Sequence, residues 1–366
     1  MRTASFLLFG LVLSSIPLAA QTPPARSGAG SSAACTTATA KCTEWVTLGG
    51  GPARSLIYTT RSLDQPDPNM RRALVMVHGT NRNPDHYFAT ATTAAFLAGA
   101  LADTIVIAPR VASAAGNCHD QLAPNEISYG CTGDSWRSGG ASASNPEVTS
   151  FDFVDQILKK LANRTNFPNL RAIVVAGHSA GGQFVARYQM ANRIHETLGV
   201  PVTYVVANPS SYAWPDATRP TMTADAAPDA AKGAWESEKV HADFTYGPFD
   251  ASKCPRYDQW PAGLENRTSG YTAKMSDDQL KKQLVSRPTT FLLGQVDVLP
   301  LGGFDSSCPA MAQGATRRAR GEAYVKYVNE HFGAKHAIQI VPECGHNDRC
   351  VYTTDDVLPL VFPKIQ

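Results

Sequence analysis

A serine stands between glycines in Gly177-His178-Ser179-Ala180-Gly181, inside the run RAIVVAGHSAGGQFVARY from Arg171 to Tyr188. The apolar residues before it read as a strand and those after it as a helix. That strand-to-helix junction is the context in which a G-x-S-x-G pattern carries chemistry. Such a turn strains the backbone of its central residue and leaves no room for bulky neighbours. Gly177 and Gly181 supply the space, and Gly182 extends it. A serine hydroxyl is a poor nucleophile until a base takes its proton, and the base must be oriented by an acid. TTFLLGQVD puts Asp297 just past one buried-looking strand, and AIQIVPECGH puts His346 just past another. These are the expected acid and base, with Asp305 as reserve acid in the following loop. Asp348 stands too close to His346 in the chain to orient it well. His331 and His336 flank a helix-to-strand turn on the opposite edge and read as surface residues, while His178 is expected to point away from the serine.

The helix that begins near Ala180 directs its first amides toward an oxyanion. A second amide is expected where the apolar run of RALVMVHGTNRN ends, so the oxyanion hole is assigned to the backbone N–H groups of Ala180 and Thr80. His78 reads as a support for that loop rather than a proton carrier. On the substrate side, VVANPSSYAW places Asn208, Tyr212 and Trp214 where they should border the pocket, although Trp214 reads equally well as loop packing. RYDQWPAGLEN adds Tyr257, Trp260 and Asn266, the two aromatics reading first as packing. Exposed aromatics beside polar groups suit an ester with an aromatic, sugar-linked or polymeric component. The basic run RRAR at 317–320 reads as a solvated helix face.

The elements that must position these groups alternate. Strand-like runs occupy 41–48, 55–60, 72–78, 104–109, 171–177, 203–208, 289–294 and 337–343, with helical patterns at 88–100, 150–163, 180–197 and 313–332. The inner strands are apolar on both faces, as in a mostly parallel sheet covered by helices, and one α/β domain over 41–366 is expected. Insertions at about 110–149, 210–288 and 298–312 break the rhythm. Long connections of this kind gather over the carboxyl ends of the strands, where ligands bind.

VHGT, GHSAGG, GQVD and CGH, in that order and in those contexts, resemble the α/β-hydrolase superfamily over about residues 50–360, with a plan similar to secreted bacterial esterases and polyester depolymerase-like hydrolases. The resemblance implies that fold, with Ser179 as nucleophile, His346 as base and Asp297 as acid. The insertions above place long loops over the active site of that fold. The 49 residues separating Asp297 from His346 exceed what a plain core of this fold requires. A loop tied down by Cys308 is the expected cause.

The 366 residues are 43% hydrophobic and 17% charged, with a formal charge of +2, so composition points to neither nucleic acid nor a membrane as partner. No dinucleotide or phosphate-loop fingerprint appears, and the cysteines lack metal-ligand spacing, so no cofactor and no metal are expected. MRTASFLLFGLVLSSIPLAA reads as a secretory signal peptide over 1–20, followed by a flexible leader over 21–40, which places the mature protein outside the cytoplasm. All eight cysteines lie beyond it. Cys35–Cys42, Cys118–Cys131 and Cys344–Cys350 are the local pairings expected in an oxidising compartment, leaving Cys254–Cys308. The leading expectation is a secreted serine ester hydrolase. A peptidase or amidase of the same fold and an inactive binding protein are the alternatives.

Overall fold

The computed structural model describes residues 33–131, 135–222, 233 and 243–365. The expected signal peptide and residues 21–32 of the leader lie outside the described residues. Eight strands form one sheet: β1 (Thr43–Thr47), β2 (Arg54–Thr59), β3 (Arg72–Val77), β4 (Thr104–Pro109), β5 (Ala172–His178), β6 (Val202–Ala207), β9 (Thr289–Gly294) and β10 (Ala337–Val341). Their order is β1-β2-β4-β3-β5-β6-β9-β10. β1 and β2 join antiparallel, β2 joins β4 antiparallel, and every later pairing is parallel.

The period of two decides which cluster each strand residue enters. Ile173 and Val175 of β5 face one buried cluster with Val77, Ile107 and Phe184. Val174 and Ala176 face the other, with Leu74, Met76 and Phe88. Both sides are apolar, so both are covered by helices. α1 (Pro84–Leu97), α7 (Asp348–Thr353) and α8 (Leu358–Val361) pack on the second cluster. α2 (Ser150–Leu161), α3 (Ala180–Ala191), α4 (Asp277–Ser286) and α6 (Arg317–Phe332) pack on the first, while α5 (Cys308–Met311) is a single short turn.

The 210–288 segment contains an antiparallel pair, β7 (Thr218–Met222) with β8 (Phe244–Pro248), which sequence periodicity does not reveal. It is anchored by a buried carboxyl: Asp155 of α2 accepts from the Tyr188 hydroxyl at 2.6 Å and from that of Tyr271 at 2.7 Å. Burial pushes the Asp155 carboxyl up to about 6. All four expected disulfides form. Cys254–Cys308 joins the 210–288 segment to the loop after Asp297, and Cys344–Cys350 closes the loop that carries His346.

Candidate active site

Ser179 sits between β5 and α3 with φ 58° and ψ −119°, a conformation that a non-glycine residue adopts only when its surroundings impose it. The neighbouring glycines show how it is imposed. A Cβ on Gly177 would collide with the carbonyl oxygen of Gly181, and one on Gly181 with that of Val77 in β3. Strand end and helix start therefore approach to backbone distance. Ser179 N–H donates to the Ala207 carbonyl at 2.9 Å, which ties the turn to β6.

The loops after β9 and β10 bring the other two groups to the serine. Gly294 is also at a close approach, since a Cβ there would lie 2.5 Å from the Cys344 carbonyl oxygen and 2.7 Å from that of Gly345. His346 stands with Nε2 at 2.9 Å from Ser179 Oγ and Nδ1 at 2.8 Å from Asp297 Oδ2. In the neutral ring, an Nδ1–H donated to the carboxylate leaves the Nε2 lone pair facing the hydroxyl. That arrangement can take a proton from Ser179 and hold it. Asp305 has no part in it: its carboxylate accepts from Ser307 N–H at 3.0 Å.

A carboxylate buried to 3% exposure needs compensation, and it comes from a residue that the sequence reading assigns elsewhere. Arg317, expected on a solvated face, is fully buried. Its Nη1 donates to Asp297 Oδ1 at 3.2 Å, its Nε to Ser210 Oγ at 2.8 Å, and its Nη2 to the Gly302 carbonyl at 2.9 Å. Arg320 is equally buried and donates to the Gly314 and Asp305 carbonyls at 2.8 and 3.0 Å. A solvated reading fails because these guanidiniums have partners from three loops. One signal could have raised the question. The first turn of α6 holds basic residues and no acidic one, the arrangement that a helix N-terminus disfavours unless something else holds the charges.

Around the serine lies a cavity of about 450 Å³, lined by residues 79–81 and 83, His86, Tyr87, His178, Gly302, Gly303, His346 and Asp348. Ala180 opens α3, so its amide has no partner within the helix. Thr80 lines the same cavity, and a Cβ on the preceding Gly79 would sit 3.7 Å from Ser179 Cβ.

His78 supports this loop. Its buried ring donates Nδ1–H to the Gly79 carbonyl at 3.0 Å and accepts the Val111 N–H on Nε2 at 3.1 Å. Burial brings its pKa down to about 4, so the ring is neutral. His178 differs from expectation. It does not turn away but lines the cavity, its ring centroid 4.7 Å from that of His346, with Nδ1 paired to the Tyr87 hydroxyl at 3.1 Å. Burial, and then the neighbouring His346, lower it to about 3.

The three expected substrate contacts are corrected. Tyr212 and Trp214 are fully buried, Tyr212 stacking on Tyr324 with centroids 4.6 Å apart and Trp214 packing on Tyr327 at 5.0 Å. They pack α6 onto the sheet, and neither lines the cavity. Asn208 is buried too, and its amide fastens loops together, accepting from Gly294 N–H at 2.8 Å and donating to the Gly345 carbonyl at 3.2 Å. His336 is buried rather than at the surface, accepting from Thr289 N–H at 3.2 Å. Of the secondary aromatics, Trp260 lines a separate cavity of about 340 Å³ with Arg256 and Asp305.

The fold recurs in solved structures. The poly(3-hydroxybutyrate) depolymerase LpqC of Bordetella parapertussis is 20% identical, over 86% of this chain and 85% of its own, with a TM-score of 0.55. Poly(aspartic acid) hydrolase-1 of Sphingomonas sp. KT-1 is 21% identical, over 87% of this chain and 97% of its own, with a TM-score of 0.57. No curated protein matches. The model of the alpha/beta hydrolase family matches residues 74–358, which spans the serine turn and both loops that meet it, and the chain belongs to that family.

Proposed function

We propose that the protein is an exported serine hydrolase that cleaves carboxylic esters through an acyl-enzyme. Ser179 attacks the carbonyl carbon while His346 Nε2 takes its proton, and Asp297 holds the ring and balances the imidazolium. The Ala180 and Thr80 amides donate to the oxyanion. His346 then gives its proton to the leaving alkoxide and activates the water that releases the acid. The observation that carries this reading is the His346 ring bonded to Ser179 at 2.9 Å and to Asp297 at 2.8 Å, with the serine at φ 58°. Asp297 acts with Arg317, which holds the carboxylate oxygen that His346 leaves open.

Export is supported by the four disulfides, a form of cross-link that persists in oxidising compartments. Among the described residues no helix is long and apolar enough to cross a membrane. An ester is preferred to an amide because an alkoxide leaves more readily than an amine. Of the two similar proteins, one is a poly(3-hydroxybutyrate) depolymerase and the other a poly(aspartic acid) hydrolase.

A panel of natural esters and peptides, run with the wild type and Ser179→Ala, tests the proposal. Ester turnover that Ser179→Ala lowers by at least about 10⁴-fold is expected. Vigorous peptide cleavage without ester cleavage would reassign the site to a peptidase. Neither activity, with no acylation of Ser179, would favour the inactive binding protein.

A further inference from the structure

The cavity beside Ser179 holds a second histidine–aspartate pair. His86 Nε2 lies 3.0 Å from each Asp348 oxygen, and Thr90 Oγ1 donates to Oδ2 at 2.8 Å. The aspartate side chain is 12% exposed and the histidine 38%, so the acid is sheltered and the ring reaches the cavity. With Nε2–H given to Asp348, Nδ1 of the neutral ring is an acceptor, and among the described residues nothing donates to it.

Two asparagines stand beside it in the same segment. Asn83 is the N-cap of α1, a position where an asparagine side chain ordinarily binds the helix amides, yet its side chain makes no cap bond and lines the cavity instead. Asn81 lines the cavity as well and has no side-chain hydrogen bond among the described residues. Each of these amides offers two donors and an acceptor. The remaining lining is equally telling. Among the described residues it contains no Leu, Ile, Val, Phe or Met, and also no Arg or Lys. A long acyl chain would strip water from these polar groups without replacing it. A carboxylate-bearing substrate would meet Asp348 and, among the described residues, no compensating cation in the lining.

We propose that Asn81, Asn83 and His86, held by Asp348, form a subsite for hydroxyl groups, so that the substrate is an uncharged ester whose acyl or alcohol part is hydroxylated. This rests on Ser179 being the nucleophile. A hydroxyl is the ligand that uses the whole set, donating to His86 Nδ1 and exchanging hydrogen bonds with either amide. Sites built to bond a substrate hydroxyl discriminate strongly against the analogue that lacks it, because the site's own polar groups are then left unpaired.

The test is kcat/KM of the full-length enzyme for two matched pairs, ethyl 3-hydroxybutyrate against ethyl butyrate and glyceryl monobutyrate against propyl butyrate, with monoethyl succinate as the anionic probe. Each ratio is divided by the same ratio for hydroxide-catalysed hydrolysis, which removes intrinsic reactivity. At least about a tenfold preference for the hydroxylated partner is expected in one pair, with monoethyl succinate the poorest substrate. His86→Ala should bring that ratio to within about threefold of unity, and His86→Gln, which keeps an acceptor, should restore part of it. If the His86 variants fail to fold, Asn81→Ala, in an exposed loop position, must still lower the ratio. Ratios near unity in both pairs, ratios indifferent to these substitutions, or monoethyl succinate as the best substrate would overturn the proposal. Butyrate turnover together with acylation of Ser179 would show in those cases that the ester-hydrolase reading survives and only the subsite fails.

Discussion

Two histidine–aspartate pairs face one cavity, and they are wired in opposite senses. In the first, Asp297 receives the Nδ1 side of His346, and the freed Nε2 meets Ser179. In the second, Asp348 receives the Nε2 side of His86 and, among the described residues, no serine bonds to the other. The backing differs as well: a buried guanidinium supports Asp297, and the hydroxyl of Thr90 supports Asp348. The residue pairing alone therefore does not make a base. What distinguishes the two is which ring nitrogen the acid occupies and what lies opposite the other. Both pairs depend on a single small loop, since Cys344 and Cys350 enclose His346 and Asp348 together.

The largest effect that can break the comparison is exchange of one acid at a time. Asp297→Asn should lower kcat on ethyl butyrate by about 10³- to 10⁴-fold, because His346 loses its tautomer and orientation. Asp348→Asn should act mainly on the selectivity ratio for hydroxylated esters, and Asp305→Asn should do little. Equal losses from Asp297→Asn and Asp348→Asn, measured at saturating substrate, would mean that the two pairs are not functionally distinct.

Opening the shared loop comes next. With the other disulfides intact, Cys344→Ser with Cys350→Ser should reduce kcat by about 10²-fold, the scale of roughly a 1 Å displacement of a catalytic group. The same variant should also blunt the hydroxyl preference. A drop in melting temperature with kcat unchanged would show that the bond serves only the chain's stability.

Arg317 sharpens the contrast between the backings. Arg317→Lys keeps the charge but loses the fork that reaches Asp297, Ser210 and Gly302, so kcat should fall on the order of tenfold with its acidic limb in place. Arg317→Met removes a cation beside the Asp297–His346 pair. The imidazolium is then better stabilised, and the acidic limb of kcat/KM should move to higher pH. A purely structural role would leave that limb where it is. Breaking a buried ion pair also destabilises by roughly 3–5 kcal/mol, so a thermal melt accompanies the kinetics.

The smallest effect concerns the ring behind the oxyanion loop. His78, lowered to about 4 by burial, stays neutral in the fold while an unfolded histidine protonates near pH 6.5. Its contribution is present above that pH and is lost as pH falls toward 4. Denaturant unfolding at pH 6.5 and 5.5 should show the wild type losing about 1 kcal/mol more than His78→Gln over that unit. Parallel losses in the two proteins would mean that the ring titrates alike in both states.

The sheet and the meeting of Ser179, His346 and Asp297 are largely legible in the sequence because their signals are local. Eight apolar runs became the eight sheet strands, and Gly177 and Gly181 flank the serine because no Cβ fits there. The β7–β8 pair was not legible, since TRPTM and FTYGP are short, polar and broken by proline or glycine. Tyr212 and Trp214 were misplaced because whether an aromatic faces a pocket or a helix depends on Tyr324 and Tyr327, more than a hundred residues away. Arg317 hid in a basic run for the same reason: its partners Ser210 and Asp297 belong to other loops. Asp348 lies too near His346 in the chain to orient it, and its histidine partner is His86, 262 residues earlier.

Covalent labelling of the folded protein with a fluorophosphonate, followed by peptide mass mapping, tests the central claim most directly. One adduct is predicted, on Ser179, formed rapidly by the wild type and by Asp348→Asn, and suppressed in His346→Ala and in denatured protein. A folded wild type that leaves Ser179 unlabelled, or labels it no faster than His346→Ala does, would contradict the account.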